Sequence, residues 1–196
     1  MILANWKRKR DAIRHYDRLA DIYDTLYGNE QSAKIKVALD AVPIDSSDAI
    51  LDVGCGTGLL LDHMGDIIGV HVGVDTSLGL LRVAAHRSNR HRRRSPVCPV
   101  RADIEYLPFS SRVFDKVFAF TLLQNMIDPS IALHEMNRVA KDSSVIVVTG
   151  LRKSFSEESL GSILSNAGLD YTIVEAAKEA SDIVAVCRKS HKVKDK

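Results

Sequence analysis

Three glycines at alternate positions are the most distinctive chemical feature of the sequence. Gly54, Gly56 and Gly58 follow a short apolar run, and apolar residues resume at Leu59. Glycine permits main-chain torsions that other residues resist, so a ligand can approach the backbone N–H groups closely. A helix that starts directly after such a bend presents its N–H groups to the ligand. The pattern predicts a ligand-binding bend between a strand and a helix; the alternative is a tight turn without a ligand.

The residues around the bend indicate which ligand it would bind. A dinucleotide site has its third glycine where this chain has Leu59. Asp52 lies at the end of the preceding strand, where a carboxylate disfavours a pyrophosphate and suits an ammonium group or a bound water. We therefore expect a ligand without phosphate groups.

Two further acids end the next predicted strands. Asp75 stands where a carboxylate can accept hydrogen bonds from both hydroxyls of a ribose, although it could instead cap the helix ahead of Ser77. Asp103 could accept from an adenine amino group, with Ile104 beside the ring, or could be a solvated turn residue. Together the three acids predict a pocket for a nucleoside that carries a charged amino-acid tail.

Strands and helices are predicted to alternate along the chain. Five apolar runs have the length and flanks of buried strands: 49–53, 70–75, 97–102, 117–122 and 145–148. Helical spacing covers these segments: 9–41 with a break at Gly28 and Asn29, 59–64, 78–85, 129–140 and the residues after Ser156. Two last strands are expected at 171–174 and 182–186. This order predicts an α/β fold, a doubly wound Rossmann-like sheet of seven strands, mostly parallel with an antiparallel C-terminal edge and helices on both faces.

Composition excludes several classes of protein. The 196 residues carry a formal charge of only +2, and no apolar run approaches the roughly 18 residues of a membrane helix. The N-terminus lacks the order of charges and apolar residues found in a signal peptide. Cys55, Cys98 and Cys187 form no metal-ligand spacing, so neither a metal site nor disulfides are expected, and the cytoplasm is the expected compartment.

One domain is expected, with a helical lid at 1–42, a core at 48–190 and a basic tail at 191–196.

The motifs LDVGCGTG, GVDTS, RADIEYLPF and FDKVFAFTLLQNM resemble those of the class I S-adenosylmethionine-dependent methyltransferases. The nearest branch is the type-11 group with the quinone C-methyltransferases, and the likeness extends over roughly residues 10–190. It implies an enzyme that uses S-adenosylmethionine and releases S-adenosylhomocysteine. The cofactor residues that it implies are Asp52, Gly54, Cys55, Gly56, Thr57, Gly58, Asp75, Thr76, Asp103, Ile104, Thr121 and Leu122.

The residues that would act on an acceptor are less defined. Methyl transfer from a sulfonium is an in-line displacement that needs mainly positioning and exclusion of water, and the sequence offers no convincing general base. Gln124 and Asn125 could orient an acceptor or cap the helix near Asp128. Tyr16 and Tyr23 resemble an aromatic lid, but could form an amphipathic core stripe. The motif of enzymes that methylate exocyclic base amines is missing after the fourth strand.

Basic clusters favour RNA, either transfer or ribosomal RNA, as the acceptor. They are formed by Lys7, Arg8, Lys9, Arg10, Arg87, Arg90, Arg92, Arg93 and Arg94. Such clusters suit phosphate backbones, although cations also collect at helix C-termini. The alternatives are a quinone-like or other small molecule, a protein acceptor, and a non-catalytic cofactor-binding subunit. The resemblance also implies that a small activator protein could bind an exposed edge of the third strand.

Overall fold

The computed structural model describes residues 2–64, 69–90, 97–174 and 181–190. These residues form one seven-stranded sheet with the order β3-β2-β1-β4-β5-β7-β6. The strands are β1 (Ile50–Val53), β2 (His71–Asp75), β3 (Val97–Arg101), β4 (Phe114–Ala119), β5 (Ala140–Leu151), β6 (Leu169–Ile173) and β7 (Asp182–Lys189). The first five are parallel, and β7 is antiparallel to both β5 and β6. The predicted fold class is confirmed.

Apolar side chains cover both faces of the sheet. Leu51 belongs to the larger buried cluster and its neighbour Ile50 to the smaller one, because successive strand residues point to opposite faces. All four residues of β1 are buried, as expected of a central parallel strand. Strand order reverses beside β1, since β2 and β3 lie on one side of it and β4 on the other. Such a reversal opens a crevice at the carboxyl ends of the strands.

In the described part of the chain, six α-helices pack around the sheet: α1 (Ile2–Leu19), α2 (Tyr23–Ala41), α3 (Leu60–His63), α4 (Leu78–Arg90), α5 (Pro129–Val139) and α6 (Glu157–Asn166). Ser77 caps α4 through the N–H of Leu80, and Ser156 forms a capping box on α6. Gly168, with φ of 76°, follows the C-cap Ala167 of α6 in the left-handed conformation that is common just after helix ends. Among the helices in the described ranges, none combines the length and the apolar character needed to cross a membrane.

The predicted helix break at Gly28 and Asn29 is wrong. The helix α2 runs through both residues, and the chain turns earlier, between Leu19 and Tyr23. An internal glycine costs a helix only about 1 kcal/mol. Burial of Ile35 and Ala38 against the sheet outweighs this cost.

Several strand boundaries also differ from the prediction, most of all those of β4 and β5. The strand β5 begins five residues before the predicted 145–148, because Ala140 already pairs with Phe114 of β4. The strand β4 ends at Ala119, although apolar residues continue to Leu122. Phe120 and Leu122 are still buried, but the backbone leaves the sheet at Thr121, whose φ is 55°.

Candidate functional site

The glycine bend lies directly after β1 and adopts torsions that other residues resist. Gly54, Gly56 and Gly58 have φ values of 73°, 55° and 76°. A Cβ on Gly58 would lie 3.2 Å from Cβ of Ala84, whereas a Cβ on Gly56 would meet no atom within 4 Å. Gly58 therefore permits close packing on α4, and Gly56 leaves open space beside the backbone.

A cavity of about 460 Å³ lies at the carboxyl ends of the strands beside this bend. This volume is within the range of about 300–1,000 Å³ that small-molecule sites occupy. Of the residues that the sequence analysis assigned to the site, these line it: Tyr16, Tyr23, Gly54, Gly56, Asp75, Thr76, Asp103, Ile104, Thr121, Leu122 and Asn125. The helix α1 covers one side, with Trp6, Lys9 and Ile13 on the wall.

Asp75 joins the second strand to the glycine bend. Its Oδ2 accepts a hydrogen bond from the N–H of Gly56 at 3.0 Å, and its Oδ1 accepts from the N–H of Ser77 at 2.8 Å. Burial raises the pKa of this carboxyl, although the backbone hydrogen bonds act in the opposite direction. An ionised carboxylate can accept about four hydrogen bonds, so capacity remains for ligand hydroxyls. The two interpretations of Asp75, helix capping and cavity lining, are therefore compatible.

Asp52 is a buried carboxyl on a second, smaller cavity. This cavity of about 30 Å³ shares Tyr23, Gly54, Gly56 and Phe120 with the larger one. Burial, and then the charge of Asp75, raises the pKa of Asp52 to about 7. Cys55 and Thr57 also line the smaller cavity. An ammonium group beside Asp52 would favour its charged form and so suits this position.

Asp103 already has a cationic partner on α1. Its Oδ2 accepts from Lys9 Nζ at 2.8 Å, and the same ammonium lies 2.6 Å from Oε2 of Glu105. Burial lowers the pKa of Lys9, but these acceptors raise it further, so the ammonium stays charged. The residue Lys9, which the sequence assigned to a phosphate-binding cluster, instead attaches α1 to the wall of the cavity.

Thr121 holds a left-handed backbone conformation at the end of β4. A threonine in this region costs about 1–3 kcal/mol, since its branched side chain crowds the main chain. Its N–H donates to Oγ1 of Thr149 at 2.8 Å, and its carbonyl accepts from Nδ2 of Asn125 at 2.8 Å. Thr121 and Leu122 thereby form the wall of the cavity that faces the glycine bend.

The aromatic and amide candidates differ in their placement. Tyr16 and Tyr23 lie on the cavity wall with their ring centroids 6.3 Å apart. Burial raises the pKa of both phenols, so both remain protonated at neutral pH. Asn125 lines the cavity and hydrogen-bonds Tyr16, whereas Gln124 does not line it and its Oε1 is buried. Asn125, rather than Gln124, is therefore positioned to contact a ligand.

The expected role of Arg87 in phosphate binding is wrong, because its side chain is buried. Arg87 forms ion pairs with Asp24 of α2 and Asp62 of α3, and its Nε donates to the carbonyl of Thr57 at 3.0 Å. Thr57 also donates a hydrogen bond to Asp24. Arg87 thus supports the glycine bend from behind. Lys7, Arg8, Arg10 and Arg90 are exposed. The other members of the predicted cluster, Arg92, Arg93 and Arg94, and the tail 191–196, lie outside the described residues.

Two polar residues of α2, which belong to none of the sequence motifs, lie behind Thr121. Gln31 and Lys34 are buried, and both contact the Thr121 hydroxyl. They share the helical spacing of the buried residues Ile35 and Ala38, so polar residues within an apolar stripe were the signal that could have identified them. Within the described ranges, no group of three or more His, Cys, Asp and Glu residues could hold a metal ion.

A family model described as a methyltransferase domain matches residues 51–148, half of the chain. This match includes the glycine bend and all the assigned residues from Asp52 to Leu122. The chain therefore belongs to this family, the type-11 branch of the class I methyltransferases.

Curated relatives agree with the family. The chain is 35% identical over 143 residues to an uncharacterised protein of Methanocaldococcus jannaschii, covering 73% of this chain and 53% of the relative. It is 30% identical to a malonyl-[acyl-carrier protein] O-methyltransferase of a Marinomonas species, over 76% of this chain and 55% of the relative. It is 32% identical to the demethylmenaquinone methyltransferase of Thermobifida fusca, over 72% and 61% respectively. The aligned part of the chain thus spans little more than half of each relative.

Among solved structures, the fold is similar to a complex between the Haloferax volcanii Trm112 methyltransferase activator and a methyltransferase. The TM-score is 0.75 with 19% identity, and the alignment covers 90% of this chain and 98% of the other. At this identity the similarity concerns the fold.

The raised pKa of Asp52 predicts a pH-dependent stability. The carboxyl binds its proton with a pKa of about 7 in the folded protein and 3.8 in the unfolded chain. Folding therefore takes up a proton between these values, and stability falls as pH rises from about 4 to about 7. We expect Asp52→Asn to remove this contribution. The melting temperature of the variant, relative to that of the native protein, should therefore increase as pH rises from about 4 to about 7. A constant difference between the two proteins would contradict the prediction.

Removal of Arg87 should destabilise the fold. Arg87→Met leaves Asp24 and Asp62 without this partner, and we expect a loss of about 2 kcal/mol or more in the free energy of unfolding, measured with urea. Arg90→Met is the matched control on the same helix, and its exposed position predicts a change within about 0.5 kcal/mol. Equal stability of the two variants would show that Arg87 is a surface cation.

Proposed function

We propose that the protein is an S-adenosylmethionine-dependent methyltransferase. The observation that carries this proposal is the contact between Asp75 and the N–H of Gly56, which brings a ribose-type acceptor and an open glycine bend to one cavity. Membership of the methyltransferase family supports it.

The cavity residues fit the parts of this donor. Asp75, which accepts two backbone hydrogen bonds, would also accept the ribose hydroxyls, and Ile104 and Asp103 would flank the adenine. The buried Asp52 suits the ammonium group of the methionine tail, while Thr121 and Leu122 form the cavity wall that faces the glycine bend. Adenine would share the Asp103 carboxylate with Lys9.

The donor supplies a methyl group on a positively charged sulfur, which becomes a neutral thioether when the acceptor displaces it. The chain has to hold the acceptor in line and exclude water. The helices α1 and α2 would act as the lid, with Tyr16 and Tyr23 over the cavity. Since both phenols stay protonated, they would orient the acceptor as hydrogen-bond donors rather than remove its proton.

We propose a small, largely apolar acceptor, such as a quinone-like ring. The cavity is lined by one amide, Asn125, and by the apolar residues Trp6, Ile13, Met126 and Ile127 among others. Curated relatives include a demethylmenaquinone methyltransferase, which supports this class of acceptor. RNA is the second candidate, supported by the exposed Lys7, Arg8, Arg10 and Arg90. It is weaker than the sequence suggested, because Arg87 and Lys9 are engaged within the protein.

A small activator protein is a further proposed partner. A structural relative occurs in a complex with such an activator. The strand β3 forms one edge of the sheet, and its Cys98 is exposed. Unpaired edge strands can accept a strand from another chain.

Donor binding tests the proposed activity directly. We expect S-adenosylhomocysteine to bind in titration calorimetry. The Asp75→Asn substitution should raise its dissociation constant about tenfold or more, since charge-assisted hydrogen bonds are lost. Asp142→Asn is the control, because Asp142 is exposed and pairs with Arg112 and Lys189 away from the cavity. Absence of binding to the native protein would overturn the proposed function.

The acceptor class can be identified by transfer of a labelled methyl group. The protein is incubated with labelled donor and separate RNA, protein and lipid or small-molecule fractions, with Asp75→Asn as the inactive control. We expect label in the small-molecule fraction, with little dependence on salt. Label in RNA that falls steeply between about 50 and 200 mM salt would refute the small-molecule acceptor and identify RNA as the acceptor.

A further inference from the structure

The conformation of Thr121 needs support from elsewhere in the fold. Among the described residues, only Thr121 and Arg112 combine a side chain with a positive φ, and Thr121 alone lines the cavity. A β-branched residue resists this conformation, so the surrounding contacts must over-determine it.

Two residues of α2 supply that support. The Thr121 hydroxyl accepts a hydrogen bond from Lys34 Nζ at 3.1 Å and donates one to Oε1 of Gln31 at 3.0 Å. With the contacts to Thr149 and Asn125, every polar group of Thr121 has a partner. The hydroxyl is therefore fixed from α2, and the main chain is fixed from β5 and from the following turn.

Lys34 is itself fully engaged and deeply buried. Its side chain is 2% exposed, and its ammonium contacts Thr121, Glu30 and Asp182, which uses its three donors. Asp182 begins β7 and is 0% exposed. A buried ion pair rarely stabilises a fold more than apolar residues of similar size would. The Lys34–Asp182 pair is therefore better explained by the group that it holds in place.

We propose that Lys34 is a positioning residue for the donor site, and that it acts through Thr121. The wall formed by Thr121 continues into Leu122, and a Cβ on Gly54 would lie 3.1 Å from Cδ1 of Leu122. Lys34 thereby sets the distance between this wall and the glycine bend. This inference rests on the proposed function, since it assumes that the cavity binds the methyl donor.

A double-mutant comparison tests the proposal. Lys34→Met is combined with Asp182→Asn, so that no buried carboxylate loses its cation, and the pair is placed in the native protein and in Thr121→Gly. Glycine adopts a positive φ without strain, so support from Lys34 is no longer needed. We expect the pair to weaken S-adenosylhomocysteine binding about tenfold in the native background and less than about threefold in Thr121→Gly. Calorimetry at a temperature where all four proteins are folded gives both ratios.

Lys116 and Asp48 provide the matched control. This pair is also poorly exposed, with a 3.0 Å contact, but it lies at the opposite, amino end of the strands. Replacement by Met and Asn should lower the melting temperature and leave the dissociation constant unchanged. If the Lys34 variant does not fold, Gln31→Leu tests the same contact from the other side of the hydroxyl, with the same dependence on the residue at 121.

The outcomes separate the two proposals. No binding by the native protein refutes the proposed function. Normal binding by the Lys34–Asp182 variant, or an equal loss in both backgrounds, refutes the role of Lys34 and leaves the proposed function intact.

Discussion

One hydrogen bond organises the site: the N–H of Gly56 donates to the carboxylate of Asp75 at 3.0 Å. It joins the ends of two adjacent parallel strands, β1 and β2, next to the reversal of strand order between β1 and β4. The bend can make this bond because Gly54, Gly56 and Gly58 all have positive φ, which directs the backbone around the end of β2. Every other proposed donor contact is arranged around this junction.

The electrostatics of the junction favour a cation. Asp52 is buried and Asp75 is half-buried, and the charge of Asp75 adds to burial in raising the pKa of Asp52 to about 7. Like charges in a low-dielectric site repel one another, so the ionised pair is unfavourable in the free protein. A ligand with an ammonium and a sulfonium would offset that repulsion. The proposed donor therefore matches the site in charge as well as in shape.

Polar contacts attach the N-terminal helices to this framework. Lys9 binds Asp103, and Asp17 accepts from Ser77 and from the N–H of Gly79. Exposed or half-exposed contacts of this kind are individually weak. Such an attachment suits a cover that has to release a product, whereas the buried Lys34–Asp182 pair holds the inner wall. The two kinds of contact divide the N-terminal helices into an outer cover and an inner support.

Local sequence determined the sheet, the glycine bend and the positions of Asp52, Asp75 and Asp103, because apolar runs, glycine torsions and strand ends are properties of neighbouring residues. The helix break predicted at Gly28 is wrong, since the cost of one glycine to helix stability is smaller than the stabilisation from burial of Ile35 and Ala38. Only the tertiary structure decided which charges are free. Arg87 and Arg90 belong to one basic segment, yet one is buried against two carboxylates from α2 and α3 and the other faces solvent. Lys34 meets Asp182 and Thr121 from distant parts of the chain. The partner of a charged side chain depends on which elements pack together, and the spacing of residues along the chain does not indicate that packing.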